Sequence, residues 1–533
     1  MFFMPYGTYR QCPANHSPYV VKQGDTLYNI AYRFNVSVSG LMASNPGIDA
    51  YNLRIGQTLC IQVCPPDHTV RTVQPGDTLY KIAQAHHVSL SEILASNPGI
   101  NPDYLVIGQR ICIPLVCPSG YSTYAVRSGD TLYSIAARYS VSVQALINAN
   151  PQLANPNAIA VGQKLCVPVT DPILEQIRGM TPEEKIGQML IVGFDGYAVN
   201  DYVRALIRNY HVGGMILYGY NIESSSQLVA LNNTLKSVNS VNKIPLFLSV
   251  DEEGGRVSRM PADIRKLPSN EVIGRLNNAE LSYRIGSVIA GEVKAFGFNM
   301  DFAPVLDINS NPANPVIGDR SFGSNAQIVS KLGVQTMKGI QAGGVIPVVK
   351  HFPGHGDTSV DSHVGLPAVN HDLNRLKSFE LIPFADAVRN GADAVMVAHI
   401  LLNRVDPANP SSLSRIIITD ILRNQLGFNG VVITDDMTMG AIVRNYDLGN
   451  AAVRAVNAGS DIVLVARGFD NEAKAINALK TAVQNGTISR QRIDDSVYRI
   501  LRLKRKYNLT DAPASSVNVN RINSEIDAVL QQM

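Results

Sequence analysis

The sequence predicts a multidomain protein in which three small α+β modules precede one large α/β barrel. The first 170 residues contain three similar copies of a segment just over fifty residues long, a period typical of repeated modules. All six cysteines lie before residue 167. From residue 171 onward, eight short apolar runs alternate with amphipathic helical patterns. This alternation is typical of a parallel sheet whose strands are connected by helices.

Length and composition exclude several classes of protein. A chain of 533 residues is too long for one ordinary hydrophobic core. Hydrophobic residues make up 45% and charged residues 17%, the balance of a folded protein. The formal net charge of +3 is too small to indicate a nucleic-acid partner, and no apolar run approaches the roughly 18 residues of a membrane helix. We expect a monomer without nucleic acid, membrane insertion or cofactor.

Each of the three copies predicts a βααβ unit. The copies begin at Tyr19, Arg71 and Tyr124, and each contains a Gly-Asp-Thr-Leu motif, a later Asn-Pro pair and a Gly-Gln pair before the last strand. In the first copy Asp25 or Thr26 caps a helix whose apolar residues recur with helical spacing. The expected modules are residues 18–63, 69–115 and 122–169.

These repeats resemble LysM domains, modules that bind glycans containing N-acetylglucosamine. The resemblance covers nearly the whole of each repeat and implies a sugar groove beside the Gly-Asp-Thr-Leu loop. The same aspartates and threonines also serve as helix caps, and both roles are compatible. The residues that the resemblance assigns to glycan binding are Asp25, Thr26, Leu27, Asp77, Thr78, Leu79, Asp130, Thr131 and Leu132. Asn45, Asn97 and Asn150 are expected on the opposite wall.

The cysteines keep the register of the repeats. Each Gly-Asp pair has a cysteine twelve residues before its glycine, and each module ends in another cysteine. Six cysteines allow fifteen pairings, and the register favours one disulfide within each module. Reduced, buried cysteines are the alternative. The candidates are Cys12, Cys60, Cys64, Cys112, Cys117 and Cys166.

Residues 171–510 predict a TIM-like (β/α)8 barrel, with a doubly wound open sheet as the alternative. A capping box predicts that a helix begins at Thr181. The predicted strands are Met189–Phe194, Gly214–Tyr218, Pro245–Val250, Phe298–Val305, Val345–Val349, Ala394–Ala398, Val431–Thr434 and Asp461–Ala466. Residues 511–533 predict a tail with a peripheral helix and no function.

Polar residues follow five of these runs, where barrel enzymes place their chemistry. They are Asp251, Asp307, Lys350 with His351, His399, and Asp435 with Asp436. The densest segment is 350–363, with three of the ten histidines in the chain, and its proline and glycines predict a loop. We favour catalysis here over a solvated loop or a metal site. The metal site would use His351, His355, Asp357, Asp361 and His363.

Four motifs in this half of the chain resemble glycoside hydrolase family 3, and most closely its β-N-acetylglucosaminidase branch. They begin at Asp251, Gly318, Lys350 and Ile433, and Glu252 stands where this branch usually has glutamine. The resemblance implies that Asp435 is the nucleophile, that His363 donates the proton and that Asp361 orients His363. It assigns sugar binding to Asp251, Arg259, Arg320, Lys350 and His351. For Asp251 and Arg320, an ion pair at the barrel rim is the alternative.

The two resemblances point to the same sugar. We expect an exo-acting, retaining β-N-acetylglucosaminidase without a metal, held on peptidoglycan or chitin by its LysM modules. A phosphorylase and a non-catalytic glycan-binding spore coat protein are the alternatives. The first residues lack the pattern of a signal peptide. We expect the protein in the cell wall or in the spore cortex or coat, with the cytoplasm as the alternative.

Overall fold

The computed structural model describes residues 171–533 without a gap. Before them it describes residues 12, 16–34, 36, 38–64, 68–85, 88, 90–97, 100–115, 117, 120–139, 141–150, 153 and 159–168. The chain forms two compact units, Met1–Pro172 and Ile173–Met533. Within the described residues, no helix combines the length and the apolar character needed to cross a membrane.

Each repeat in the first unit consists of a strand, two helices and a second strand that pairs antiparallel with the first. The first repeat contains His16–Val20, Leu27–Arg33, Val38–Ala43 and Thr58–Gln62. The second contains His68–Thr72, Leu79–Ala85, Leu90–Ser96 and Arg110–Pro114. The third contains Tyr121–Ala125, Leu132–Arg138, Val143–Asn148 and Lys164–Pro168.

One disulfide closes each repeat, which confirms the pairing favoured by the sequence register. The bonds are Cys12–Cys60, Cys64–Cys112 and Cys117–Cys166. Each repeat has a small hydrophobic cluster of its own, and such a core provides little stability in so short a module. A loop of 48 residues predicts about 4 kcal/mol of stabilisation from each bond in the chain-entropy account.

Eight parallel strands form the sheet of the second unit, and each lies within one predicted apolar run except the fifth, which begins in its run and extends beyond it. Strands that follow each other along the chain lie side by side in the sheet, and a bridge between Ile433 and Ile462 joins the seventh to the eighth. The result is a nearly closed barrel. The strands are Leu190–Val192, Gly214–Ile216, Phe247–Val250, Met300–Asp301, Ile346–Phe352, Ala394–Val397, Val431–Thr434 and Val463–Val465.

Fourteen α-helices, one π-helix and three short 3₁₀ segments accompany these strands in residues 171–533. Thr181 caps its helix with the predicted capping box, with Glu184 as its partner. The α-helices are Pro172–Arg178, Pro182–Gln188, Asp201–Arg208, Ser225–Asn239, Asn270–Leu276, Ala279–Ala295, Ala326–Ala342, Leu373–Ser378, Ile382–Arg389, Gly440–Val443, Leu448–Ala458, Phe469–Gln484, Arg490–Lys506 and Val519–Leu530. The π-helix is Ile416–Gln425, and the 3₁₀ segments are Gly219–Asn221, Gly318–Arg320 and Ser411–Leu413. A further pair of short strands is Ala368–Val369 and Leu401–Leu402.

The fifth strand corrects one prediction, because it is longer than the apolar run. It continues to Phe352, so Lys350 and His351 lie in the strand and not in the loop that follows. Both backbone groups of Lys350 bond to the segment after the fourth strand: its N–H donates to the Pro304 carbonyl, and its carbonyl accepts the Leu306 N–H. Pro353, which has no N–H to continue the ladder, follows the end of the strand.

The C-terminal helix Val519–Leu530 forms as predicted, but it packs into the core of the barrel unit. Its residues Ile522, Ile526 and Val529 are buried in the same hydrophobic cluster as the barrel strands. The side chain of Asn523 accepts a hydrogen bond from the Arg265 N–H at 2.8 Å. The segment after residue 510 is therefore an integral part of the second unit.

Candidate active site

One cavity of about 580 Å³ opens at the carboxyl ends of the barrel strands. All eight residues that the sequence assigns to catalysis and sugar binding in this half of the chain line it. They are Asp251, Arg259, Arg320, Lys350, His351, Asp361, His363 and Asp435. Residues that are more than 180 positions apart in the chain are thus brought together by the strand ends.

Four charged side chains form a network along one wall. Lys350 Nζ lies 2.5 Å from Asp251 Oδ1 and 2.7 Å from Glu253 Oε1. Arg320 binds both oxygens of Glu253, with each nitrogen at 2.8 Å. Burial acts to raise the pKa of Glu253, but Arg320 and Lys350 outweigh it and hold that pKa well below its usual range. The network therefore stays ionised, and Asp251 and Arg320 pair with these partners instead of with each other.

His351 is held by Asp307. Its Nδ1 lies 2.6 Å from Asp307 Oδ2, and its Nε2 lies 3.3 Å from a nitrogen of Arg320. Because arginine only donates, these partners place the proton of a neutral His351 on Nδ1. Burial acts to raise the pKa of Asp307, and the imidazole of His351 more than offsets it, so that this pKa is lowered.

Asp435 follows the seventh strand. Burial acts to raise the pKa of Asp435, but the imidazoles of His399 and His351 outweigh it, so that the pKa is lowered overall. The N–H of Asp436 also donates to Asp435 Oδ1 at 2.8 Å. Asp435 is thus a carboxylate at neutral pH, the state that a nucleophile requires.

Asp436 and His399 support this position from the adjoining strand ends. Asp436 Oδ1 accepts the N–H groups of Thr438 at 2.9 Å and of Ala466 at 3.0 Å, which ties the seventh strand end to the eighth. His399 Nε2 lies 3.0 Å from the backbone oxygen of Asp436. Burial lowers the pKa of His399, although the neighbouring carboxylates of Asp435 and Asp436 act in the opposite direction.

His363 and Asp361 form a pair at the mouth of the cavity. His363 Nδ1 lies 2.8 Å from Asp361 Oδ1, and the same oxygen accepts the backbone N–H of His363 at 2.8 Å. The His363 side chain is 66% exposed. Burial acts to raise the pKa of Asp361, but its bonds to His363 outweigh this and lower it. The arrangement leaves Nε2 of His363 available to a substrate.

The loop that carries His363 docks onto the segment after Asp435. The N–H of Gly440 donates to the His363 carbonyl at 3.2 Å. A Cβ at Gly440 would lie 2.6 Å from that oxygen, so only glycine permits this approach. Inside the loop, His355 contacts Thr358 Oγ1 at 2.7 Å and Ser362 Oγ at 3.2 Å. Burial lowers the pKa of His355 to about 4, so the ring is neutral and structural.

Arg259 is positioned through its backbone by Glu252. The buried Glu252 carboxyl group accepts the Arg259 N–H at 2.7 Å. Burial raises the pKa of Glu252 to about 7, which makes it a carboxyl group that readily carries a proton near neutrality. The Arg259 guanidinium group remains on the cavity wall.

Sequence reasoning gave no role to several residues that build this site. Glu253 lies two residues after Asp251 in the same motif, which was a usable signal. Asp307 and His399 were noted at strand ends without a role. Tyr218 also lines the cavity. Among the described residues, no group of three or more histidine, cysteine, aspartate or glutamate side chains is arranged to hold a metal ion.

In the LysM repeats, the predicted glycan-binding side chains hold the module together. Asp25 accepts the Tyr19 hydroxyl at 2.6 Å and the Lys22 N–H at 2.8 Å, and Thr26 caps the first helix. Leu27 is buried in the module core. Asp77 and Asp130 accept equivalent backbone bonds, Thr78 and Thr131 bond the third residue of their helices, and Leu79 and Leu132 are buried. The side chains of the three leucines therefore belong to the module cores.

The three asparagines expected on the opposite wall are buried instead. The Asn45 side chain bonds the Leu41 carbonyl and both backbone groups of Cys60, all at 2.8 Å. Asn97 and Asn150 repeat this pattern. The tyrosines that follow the three leucines are exposed by 62% to 76%, a repeated signal that the sequence analysis passed over. They are Tyr28, Tyr80 and Tyr133.

A polar pocket of this kind at the carboxyl ends of eight parallel strands defines a barrel enzyme. Residues 181–503 match the glycosyl hydrolase family 3 N-terminal domain, and the chain belongs to this family. Residues 19–62, 72–114 and 124–168 match the LysM domain.

The similar proteins are β-hexosaminidases and related enzymes. β-Hexosaminidase A of Pseudoalteromonas piscicida is 35% identical over 345 residues, 60% of this chain and 57% of that protein, so the chain spans little more than half of it. β-Hexosaminidase LpqI of Mycobacterium tuberculosis is 33% identical over 359 residues, 66% of this chain and 88% of that protein. A solved family 3 β-N-acetylglucosaminidase from Paenibacillus sp. strain FPU-7 is 41% identical with a TM-score of 0.63, covering 66% of this chain and 68% of that one.

Proposed function

We propose that this chain is an exo-acting, retaining β-N-acetylglucosaminidase with a TIM-like (β/α)8 catalytic barrel, which hydrolyses terminal N-acetylglucosamine from peptidoglycan or chitin fragments. The observation that carries the proposal is the shared cavity of Asp435 and the His363–Asp361 pair. A lowered pKa keeps Asp435 ionised. An imidazole exchanges protons near neutrality and serves as both acid and base.

The proposed reaction has two steps. Asp435 attacks the anomeric carbon while Nε2–H of His363 gives its proton to the glycosidic oxygen, so that the C–O bond breaks and the leaving group departs as an alcohol. Water then gives its proton to His363 and attacks the same carbon, which releases Asp435. Two inversions give net retention of the β configuration. Asp361 stabilises His363 whenever the ring carries its positive charge.

The charged wall of the cavity fits the hydroxyl and acetamido groups of one sugar. Asp251, Lys350 and Arg320 offer acceptors and donors that their ion pairs already hold in place, and preorganised groups of this kind bind without a reorganisation cost. The names of the relatives support the same sugar, because they are β-hexosaminidases and a β-N-acetylglucosaminidase.

The LysM modules would hold the enzyme on its polymeric substrate. Exposed Tyr28, Tyr80 and Tyr133 offer rings for stacking on sugar faces, at the same position of each module. We place the protein in the cell wall or in the spore cortex or coat. The three disulfides support a site outside the reducing cytoplasm. Mass spectrometry of purified walls and spores, with alkylation before reduction, tests this, and absence from both fractions would refute the location.

The test of the activity is hydrolysis of 4-nitrophenyl β-N-acetylglucosaminide by the full chain. The chain should release nitrophenol, and Asp435→Asn should reduce the rate at least about 1,000-fold. Loss of activity with EDTA would favour the metal site instead. Sugar 1-phosphate in phosphate buffer would favour a phosphorylase, and no turnover by the native chain would favour a glycan-binding protein with an inactive barrel.

A further inference from the structure

Two tyrosines and one arginine form a cluster at the ends of the second and eighth strands. Tyr218 and Tyr220 follow the second strand, and their rings stack with centroids 5.5 Å apart and planes 21° apart. Arg467 follows the eighth strand, and its guanidinium carbon lies 4.8 Å from the Tyr220 ring centroid. The second and eighth strands flank the first in the sheet. Tyr218 and Arg467 line the cavity.

Arg467 and Arg259 are the two arginines that line this cavity without an ion pair among residues 173–533. Lys350, Arg320 and Arg256 each form an ion pair with a carboxylate, the last with Asp319 at 2.7 Å. Arg467 has the Tyr220 hydroxyl at 3.4 Å, and within residues 173–533 no carboxylate lies in ion-pair range of it. Its side chain is held in place by an aromatic ring while its charge stays unpaired.

Such an arginine is suited to bind a carboxylate. The planar guanidinium group matches both oxygens of a carboxylate, and stacking on a ring leaves its N–H edge available. The groups assigned to the N-acetylglucosamine ring come from the third, fourth and fifth strand ends, and the nucleophile comes from the seventh. The sector of the second and eighth strand ends is therefore available for the part of the substrate that leaves.

We propose that Arg467, held on Tyr220, is a specificity-determining residue that binds a carboxylate on the sugar attached to the released N-acetylglucosamine. Tyr218, which lines the cavity and stacks on Tyr220, provides the ring surface of that leaving-group subsite. This inference rests on the proposed glycosidase activity and sharpens its substrate class. It favours glycans whose second sugar is acidic, such as one bearing a lactyl ether, over chitin, whose sugars are neutral.

The experiment compares three disaccharides with N-acetylglucosamine at the non-reducing end. The second sugar is N-acetylmuramic acid, glucuronic acid or N-acetylglucosamine, so that two carboxylate positions are set against a neutral sugar. The native chain should prefer at least one acidic disaccharide in kcat/KM by about fivefold or more, and this preference should shrink as salt is raised. Equal kcat/KM values for acidic and neutral disaccharides would overturn the proposal.

The variants are Arg467→Gln and Arg467→Lys. Arg467→Gln should lower kcat/KM on the preferred acidic disaccharide about tenfold more than on the neutral one, and Arg467→Lys should restore part of the difference. The matched control is Arg208→Gln, which removes an exposed arginine on the helix Asp201–Arg208 outside the cavity and should change neither value. An equal loss on both substrates would mean that Arg467 only supports the fold, which contradicts the proposal.

A binding measurement tests the proposed subsite independently of the proposed hydrolase activity. If the native chain hydrolyses none of the three, titration calorimetry on the Asp435→Asn chain still measures the affinity for each. Tighter binding of an acidic disaccharide that disappears on Arg467→Gln would support the subsite although the activity proposal had failed. Equal binding of acidic and neutral disaccharides would overturn the subsite.

Discussion

At the scale of single residues, the proposed proton donor of this site is an exposed imidazole on a loop. A carboxylic acid in that role must be buried to keep its proton near neutrality, whereas histidine needs no such burial. Asp361 contacts Nδ1 and turns Nε2 outward. Donation therefore depends on the position of the loop, which Gly440 and Ser362 fix through backbone hydrogen bonds.

His363→Ala should affect substrates according to their leaving groups. The natural disaccharide, whose sugar alcohol leaves poorly without a proton, should lose about 10²–10⁴-fold in kcat. The 4-nitrophenyl glycoside should lose far less, because nitrophenolate leaves without protonation. Steady-state kinetics on both substrates measure the difference, with the exposed neighbour change Val364→Ala as a control expected to leave both rates intact. Equal losses on the two substrates would exclude His363 as the proton donor.

Glu252 makes a second residue-scale prediction, which concerns stability and pH. Burial raises its pKa from 4.5 to about 7, so this group stabilises the fold below about pH 4.5 and loses that contribution as pH rises through 7. Glu252→Gln keeps an oxygen for the Arg259 N–H and removes the ionisation. As pH rises from about 5 to about 8, the unfolding free energy of the variant should increase by at least about 1 kcal/mol relative to that of the native chain.

Urea unfolding followed by circular dichroism at both pH values measures this gain. Glu271→Gln, a change on the exposed side of a helix, is the control. If the difference in unfolding free energy between the variant and the native chain were the same at both pH values, the fold would not raise the pKa of Glu252, which would contradict the prediction.

The sequence predicted which residues line the site better than it predicted which of them pair with each other. Aspartates, histidines and cations at strand ends were predictable, because parallel strands deliver their carboxyl ends to one face. Their partners were not, because Arg320 reaches Glu253 across 67 positions of sequence and the choice between Glu253 and Asp251 depends on tertiary geometry. The burial of Leu27 and Asn45 was equally unpredictable, because a sequence motif does not show whether its side chains face the core of the module or its surface.

At the scale of elements, the hydrophobic pattern predicted where the barrel strands lie. It did not predict where each strand ends, because the ends depend on tertiary contacts. The run Val345–Val349 predicted a strand that in fact continues through Lys350 and His351. Polar residues normally end an apolar pattern, but here the backbone remains paired and the ion pairs compensate the buried charges. The C-terminal helix was underestimated in the same way, since a weak apolar stripe does not reveal the surface that it covers.

Ile526→Ala tests whether that helix belongs to the barrel unit. Ile526 is fully buried in the main hydrophobic cluster, so its truncation should lower the free energy of unfolding by about 2–4 kcal/mol. Ser524→Ala, on the exposed side of the same helix, should change it by less than about 0.5 kcal/mol. Urea unfolding compares the two, and equal small effects would restore the peripheral role predicted from the sequence.

At the scale of the whole molecule, three binding modules accompany one catalytic barrel. The sequence predicts short linkers between the modules, residues 63–69 and 115–123, which would keep unbound modules close to a polymer that one of them holds. Avidity of this kind exceeds the sum of separate affinities. Deleting one module should therefore weaken binding to insoluble peptidoglycan or chitin by far more than one third in a pull-down titration. A strictly proportional loss would mean that the modules act independently.

The most direct measurement of the central claim is a proton NMR time course of 4-nitrophenyl β-N-acetylglucosaminide with the full chain. Retention through Asp435 predicts that free N-acetylglucosamine appears first as its β anomer and that the α anomer grows later by mutarotation. Initial release of the α anomer would show inversion and exclude a covalent intermediate on Asp435. Absence of any free sugar would contradict the proposed hydrolase itself.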